Sequence, residues 1–165
     1  PELWSKGHRN PQGAAWDPLT ASLWTVEHRA RGGDEINQPQ AGLNYGWPVI
    51  SYGRHYSGFK IGIGTEAEGY EQPLFYWDPS IAPSGMAVYG GAMFPEWQGD
   101  LLVGALRAQL LARLERDESG NIVGEERMFE GAFGRIRDVK VAPDGAVWFI
   151  TDESNGAVVR ISREG

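Results

Sequence analysis

A strand–turn–strand unit occurs three times along this chain, and it restricts the fold more than any other feature. Gln12-Gly13-Ala14-Ala15-Trp16-Asp17-Pro18 precedes Ser22-Leu23-Trp24-Thr25-Val26-Glu27, and Gly85-Met86-Ala87-Val88-Tyr89 precedes Gly99-Asp100-Leu101-Leu102-Val103-Gly104. Asp138-Val139-Lys140-Val141 then leads through Pro143-Asp144-Gly145 into Val147-Trp148-Phe149-Ile150-Thr151-Asp152. Proline presets one torsion of such a turn and glycine accepts the positive one. Asn155-Gly156 marks a further tight hairpin before Ala157-Val158-Val159-Arg160-Ile161. Glycine and proline, 23 and 10 in number, interrupt almost every helical window, so the chain is expected to be all-β.

Repeats of roughly 40–50 residues made of short strands are the mark of propeller blades. The first interval is longer, and its excess, at about 31–76, reads as a functional insertion on one face. An ordinary antiparallel sandwich with one long loop is the alternative. Propellers close with about four to eight blades, and this chain supplies roughly three, each expected to be antiparallel and four-stranded. Residues 1–165 are therefore expected to form part of a single propeller domain that continues elsewhere.

Composition narrows the function. With 22 acidic and 15 basic residues the chain carries −7 formal charge, which argues against a nucleic-acid partner. It lacks cysteine, so it holds neither a disulfide framework nor a thiol nucleophile. No apolar run is long enough to predict a membrane span.

Three motifs carry chemistry. Gly7-His8-Arg9-Asn10-Pro11 puts a cationic fork and an amide side by side before a strand, fit for a planar anion. Glu27-His28-Arg29-Ala30-Arg31-Gly32-Gly33-Asp34-Glu35 is an acidic, glycine-rich loop of the kind that suits a hard cation, or else a solvated turn. Arg107 follows a strand end, and Arg135 and Arg137 lie two apart, so in an extended chain they share a face. Guanidinium groups converging with Arg9 on one channel would bind a polycarboxylate. The alternative is that Arg137 pairs with Asp138 or Asp152.

Five ordered segments carry a resemblance: Arg9-Asn10-Pro11-Gln12-Gly13, Gly33-Asp34-Glu35-Ile36-Asn37, Asn44-Tyr45-Gly46-Trp47-Pro48, Ile81-Ala82-Pro83-Ser84-Gly85 and Arg135-Ile136-Arg137-Asp138-Val139. Together they resemble the soluble pyrroloquinoline-quinone (PQQ)-dependent aldose sugar dehydrogenases of the glucose/sorbosone dehydrogenase family. The resemblance implies a six-bladed β-propeller, bacterial and periplasmic, of which this chain is roughly the C-terminal half. It also implies oxidation of an aldose to a lactone, with PQQ and calcium as cofactors and an external electron acceptor.

The resemblance implies roles residue by residue. Arg9 and Asn10 match positions on the quinone, Tyr56 a lining tyrosine, and Arg107, Arg135 and Arg137 the groups on the cofactor's carboxylates. Glu35 and Tyr45 match calcium-binding positions, and Trp77 and Ser80 border the sugar pocket. The carbonyls of Arg29 and Ala30 stand where relatives often have Gly-Pro, whose carbonyls hold calcium. The family's catalytic histidine lies in the N-terminal half, and His8, His28 and His55 do not match it. The segment alone is therefore expected to be inactive. Two other readings are a non-enzymatic calcium-stabilised propeller acting as a binding module and a calcium-dependent propeller lactonase; the channel arginines argue against the lactonase.

Overall fold

The computed structural model describes residues 2–163. Among them are eleven strands in three antiparallel sheets and one short 3-10 turn, Pro95–Trp97. The first sheet runs β1 (Pro11–Asp17), β2 (Ser22–Glu27), β3 (Asp34–Asn37) and β4 (Phe75–Trp77). The second runs β5 (Pro83–Val88), β6 (Leu101–Ala105), β7 (Leu110–Arg116) and β8 (Ile122–Met128). The third holds β9 (Ile136–Val141), β10 (Val147–Thr151) and β11 (Val158–Ile161), three strands where four were expected. Each strand pairs with its sequence neighbour, as blades require.

The middle sheet is covered on both faces, which explains why β6 reads as an unbroken apolar run. Leu101, Val103 and Ala105 of β6, with Leu110, Ala112 and Leu114 of β7, pack on Trp24, Val26, Ile36 and Trp77 of the first sheet. The alternate residues Leu102 and Leu111 face Ile136, Val139, Val147 and Phe149 of the third. The period-two alternation of a strand thus feeds two cores at once. Asp17 and Arg116 bridge the first two sheets through a buried pair at 2.9 Å.

The first strand of each sheet, β1, β5 and β9, lies against the next. A Cβ on Gly13 would come within 2.7 Å of the Ser84 carbonyl oxygen, and one on Gly85 within 2.7 Å of Asp138 Cα. Only hydrogen at these equivalent positions lets the strands approach so closely.

Register fixes which ends meet. Pro11 pairs with Glu27, Glu27 with Glu35, and Asp34 with Trp77. Pro83 pairs with Ala105, Ala105 with Leu110, and Ile136 with Thr151. The starts of β1, β5 and β9 therefore share an end with the β2–β3, β6–β7 and β10–β11 turns. Within the 31–76 segment the structure forms β3 and part of β4 at the two ends, leaving 38–74 as an irregular connection between them. That connection buries Tyr45, Ile50 and Ile61.

Candidate functional site

At that shared end four charged side chains, Glu27, Arg29, Asp34 and Glu35, are buried. Gly32 and Gly33, at φ +82° and +72°, turn the backbone from β2 into β3. A side chain at Gly33 would meet the Gly53 amide at 2.4 Å. The turn delivers Asp34 to a fully buried position with five donors. His28 Nδ1 (3.1 Å) and the Arg29 amide (2.9 Å) reach Oδ1. The Ser80 hydroxyl (2.7 Å) and the Ile81 (2.9 Å) and Ala82 (3.1 Å) amides reach Oδ2. One carboxylate thus ties the β2–β3 turn to the segment entering β5. In sequence, Asp34 reads as half of an acidic pair open to a cation; in the structure its lone pairs are already taken.

Beside it opens a cleft of about 340 Å³ lined by His28, Ala30, Tyr56, Ser80 and Arg107, among others. Two larger hollows, of about 410 and 480 Å³, lie beside the β1–β2 turn at the opposite end. The expected cofactor residues Tyr56 and Arg107 meet in the cleft. Tyr56 is exposed, and among the described residues the Arg107 side chain makes one hydrogen bond, at 3.3 Å to the Ser80 carbonyl, and no pair with a carboxylate.

Arg135 and Arg137 lie across the face on the third sheet, half exposed, and both donate to a single oxygen of Asp152, at 3.0 and 2.7 Å. The pairing with Asp152 weighed from the sequence is therefore present. Two guanidinium groups share one carboxylate oxygen, and Glu153 accepts from the Arg135 backbone amide at 3.0 Å, so the guanidinium groups keep free donors. Arg137 also lines a groove of about 400 Å³ with Gln12, Gly13, Gly85 and Asp138, between the first strands. Arg9 is turned elsewhere: its Nη1 donates to the His28 and Arg29 carbonyls, both at 2.8 Å, over the Trp47 ring. Asn10 is exposed, and its side chain accepts from Gln12 at 2.9 Å.

Behind the turn lie Glu27 and Glu35, register partners on β2 and β3 and both buried. Burial acts to raise Glu27, but His8, Arg29 and the Arg9 amide outweigh it and hold the carboxyl below its usual value. Burial wins at Glu35 and pushes it up, opposed by Arg29 and reinforced by the charge of Glu27. Arg29 is 1% exposed. Its Nη2 contacts Glu35 Oε2 and lies 3.5 Å from the Tyr45 carbonyl oxygen and 3.7 Å from Glu27 Oε1.

The match to known proteins covers the whole arrangement. Residues 1–160 fit the family model described as glucose / sorbosone dehydrogenase. The chain belongs to the glucose/sorbosone dehydrogenase family. It is 48% identical over 164 residues to the aldose sugar dehydrogenase YliI of Escherichia coli, a match covering 98% of this chain and 44% of that protein. The crystal structure of the soluble aldose sugar dehydrogenase from Escherichia coli in the apo-form superposes with a TM-score of 0.93 at 47% identity, over 99% of this chain and 47% of that one. The PQQ-bound aldose sugar dehydrogenase from Streptomyces coelicolor gives 0.73 at 26% identity, over 97% and 45%. The chain spans under half the length of these relatives. Its sheets are blades of a β-propeller, as the repeats and the resemblance led us to expect.

Of the two positions expected to border a sugar pocket, the structure places Trp77 elsewhere. Trp77 is 3% exposed and sits in the core between the first two blades, its Nε1 donating to Glu125 at 2.9 Å, so it does not wall a pocket. Ser80 borders the cleft, yet its hydroxyl is committed to Asp34. In sequence His28 is weighed only against the family's catalytic histidine, which it does not match; in the structure it lines the cleft with its ring held by Asp34. Its spacing from the Gly32-Gly33 turn was the available signal, since a reversal there folds residue 34 back onto residue 28.

Fit to the two implied cofactors differs. Arg107, without a carboxylate partner among the described residues, and Arg135 and Arg137, which share Asp152, suit a carboxylate-bearing planar ligand. Calcium seeks six to eight oxygens at about 2.3–2.6 Å. Glu35 and the Tyr45 carbonyl instead face a guanidinium, and the Arg29 carbonyl accepts from Arg9. As they stand, these residues do not fit that ion.

Proposed function

We propose that this chain is roughly the C-terminal half of a propeller that oxidises aldose sugars to lactones with PQQ, working in the periplasm and passing electrons to an external acceptor. The observation that carries the reading is the gathering of three guanidinium groups with spare donors at one strand-end face of a net-acidic chain. Arg135 and Arg137 share Asp152 there, Glu153 accepts from the Arg135 backbone amide, and Arg107 has no carboxylate partner among the described residues. Relatives named as aldose sugar dehydrogenases, one of them solved with PQQ, support the same reading.

In this reading Arg135, Arg137 and Arg107 hold and orient the cofactor through its carboxylates, and Tyr56 shields one side of it. Asn10 adds an amide at the rim. Arg9 braces the β2–β3 turn through the His28 and Arg29 carbonyls, which keeps His28 aimed into the cleft. Bound there, the quinone would supply the hydride acceptor for the sugar's anomeric carbon. None of the three histidines takes the place of the family's base. His8 is held by Ser5 and Glu27, His28 by Asp34, and His55 is exposed. The segment alone is therefore expected to be inactive. Among the described residues no helix is long and apolar enough to cross a membrane.

A second reading, a non-enzymatic propeller used for binding, is favoured by the Asp152 pairs, since that reading has the arginines satisfied by acids. The two separate on one experiment with the full-length protein. PQQ is added, and dye reduction is followed with glucose and other aldoses. Reduction that needs both quinone and sugar supports the dehydrogenase; absence of quinone binding supports the module.

A further inference from the structure

Glu27 and Glu35 are neighbours across β2 and β3, and both are buried, at 0% and 3% exposure. Two ionised carboxylates side by side away from water repel each other unless a cation lies between them. Asn37 Nδ2 bridges them, at 3.0 Å to Glu27 and 3.3 Å to Glu35, but brings no charge. The charge comes from Arg29. Its side chain turns inward beneath the 38–74 connection and presents Nη2 to both acids and to the Tyr45 carbonyl. The Trp47 ring lies 5.6 Å from the guanidinium carbon. The backbone of Arg29 is pinned at both ends, its amide on Asp34 and its carbonyl on Arg9. An outward swing of the side chain would leave both acids without their shared cation.

The donor pattern is lopsided. Nη2 meets all three oxygens, whereas Nε and Nη1 are buried and find no partner among the described residues. Oxygens converging on one point suit a compact ion better than a five-donor fork. We propose that Arg29 is a built-in cation occupying the Glu35–Tyr45 position, which closes that position to calcium and makes this part of the fold calcium-independent. The proposal concerns the metal site alone and stands whether or not the protein oxidises sugars.

The test uses the full-length protein, stripped with EGTA and then dialysed against calcium, with bound calcium per chain counted by elemental analysis and melting followed with and without the ion. The parent and its Glu35→Gln variant are expected to bind the same number of calcium ions. Arg29→Ala is expected to melt lower than the parent in EGTA, to bind one additional ion and to recover melting temperature as calcium is added. Adding Glu35→Gln to that variant is expected to remove the extra ion. Loss of one ion from the parent on Glu35→Gln alone overturns the proposal, as does an Arg29→Ala protein that folds but gains no ion. Should Arg29→Ala not fold, the Glu35→Gln count in the parent decides by itself. Because neither readout is activity, its outcome is separate from that of the dye assay.

Discussion

Replacing Asp34 by Asn keeps the side chain's volume but withdraws one acceptor from a buried centre that serves five donors. The amide oxygen can face only one side. Turned toward Ser80, Ile81 and Ala82, it keeps those three bonds in neutral form. The new NH2 then meets the Arg29 backbone N–H, while His28 can exchange tautomers and accept. One buried amide left unpaired costs about 1–3 kcal/mol, and each of three bonds loses roughly 1 kcal/mol on going from charged to neutral acceptor. A neutral amide is cheaper to bury than a carboxylate, which returns part of this. The net expectation is a loss of about 2–4 kcal/mol, with Asp34→Ala worse because no acceptor remains. Urea denaturation of the full-length protein reads the energy, and hydrogen exchange at the Ile81 and Ala82 amides locates it. An Asn variant within about 0.5 kcal/mol of the parent, with both amides still protected, would refute the assignment of Asp34 as the tie between turn and blade.

Three further outcomes follow from the same geometry. Gly85→Ala is expected to lower stability by about 1–3 kcal/mol through overpacking, because its Cβ would press on Asp138; an unchanged urea midpoint contradicts the close approach of β5 and β9. Arg116→Ala is expected to cost about 3–5 kcal/mol by leaving Asp17 buried without its cation, read as a lower denaturation midpoint. For Asp17 itself, burial acts to raise the carboxyl, but the Thr20 hydroxyl, Arg116 and the Leu19 amide outweigh it and hold the pKa below the ordinary 3.8. That group's stabilisation is thus present above about pH 4 and is lost as pH falls through the depressed value, so Asp17→Asn is expected to flatten the acid limb of stability against pH.

Much of the fold was legible because its signals are local. Pro143-Asp144-Gly145 and Asn155-Gly156 announce their turns, and Val147–Thr151 announces a strand. The continuous apolar run of β6 is read correctly as buried once its sheet is known to be covered on both faces. The site was legible only in part, since a residue type gives its chemistry but not its partner. Arg135 and Arg137 share a face as their spacing requires, and Asp152 is one of two acids the sequence offers to Arg137; that one of its oxygens serves both arginines follows from the pairing of β9 with β10, which spacing does not give. Trp77 looks like a pocket aromatic in sequence; three residues of β4 pairing with β3 carry it into the core. Arg29 in a glycine-rich loop reads as solvated, and only the packing of 38–74 over β3 shows it inverted into the protein. Buried polar networks depend on contacts distant in sequence, and they are where the reading from residues alone ends.

The central claim is that the strand-end face with Arg107, Arg135 and Arg137 is a seat for a carboxylate-bearing quinone. A PQQ titration followed by absorbance, comparing the full-length protein with its Arg135→Ala/Arg137→Ala variant, tests it most directly. The account predicts saturable binding that the double substitution weakens at least tenfold without unfolding the protein. Equal affinity in the two proteins would contradict it.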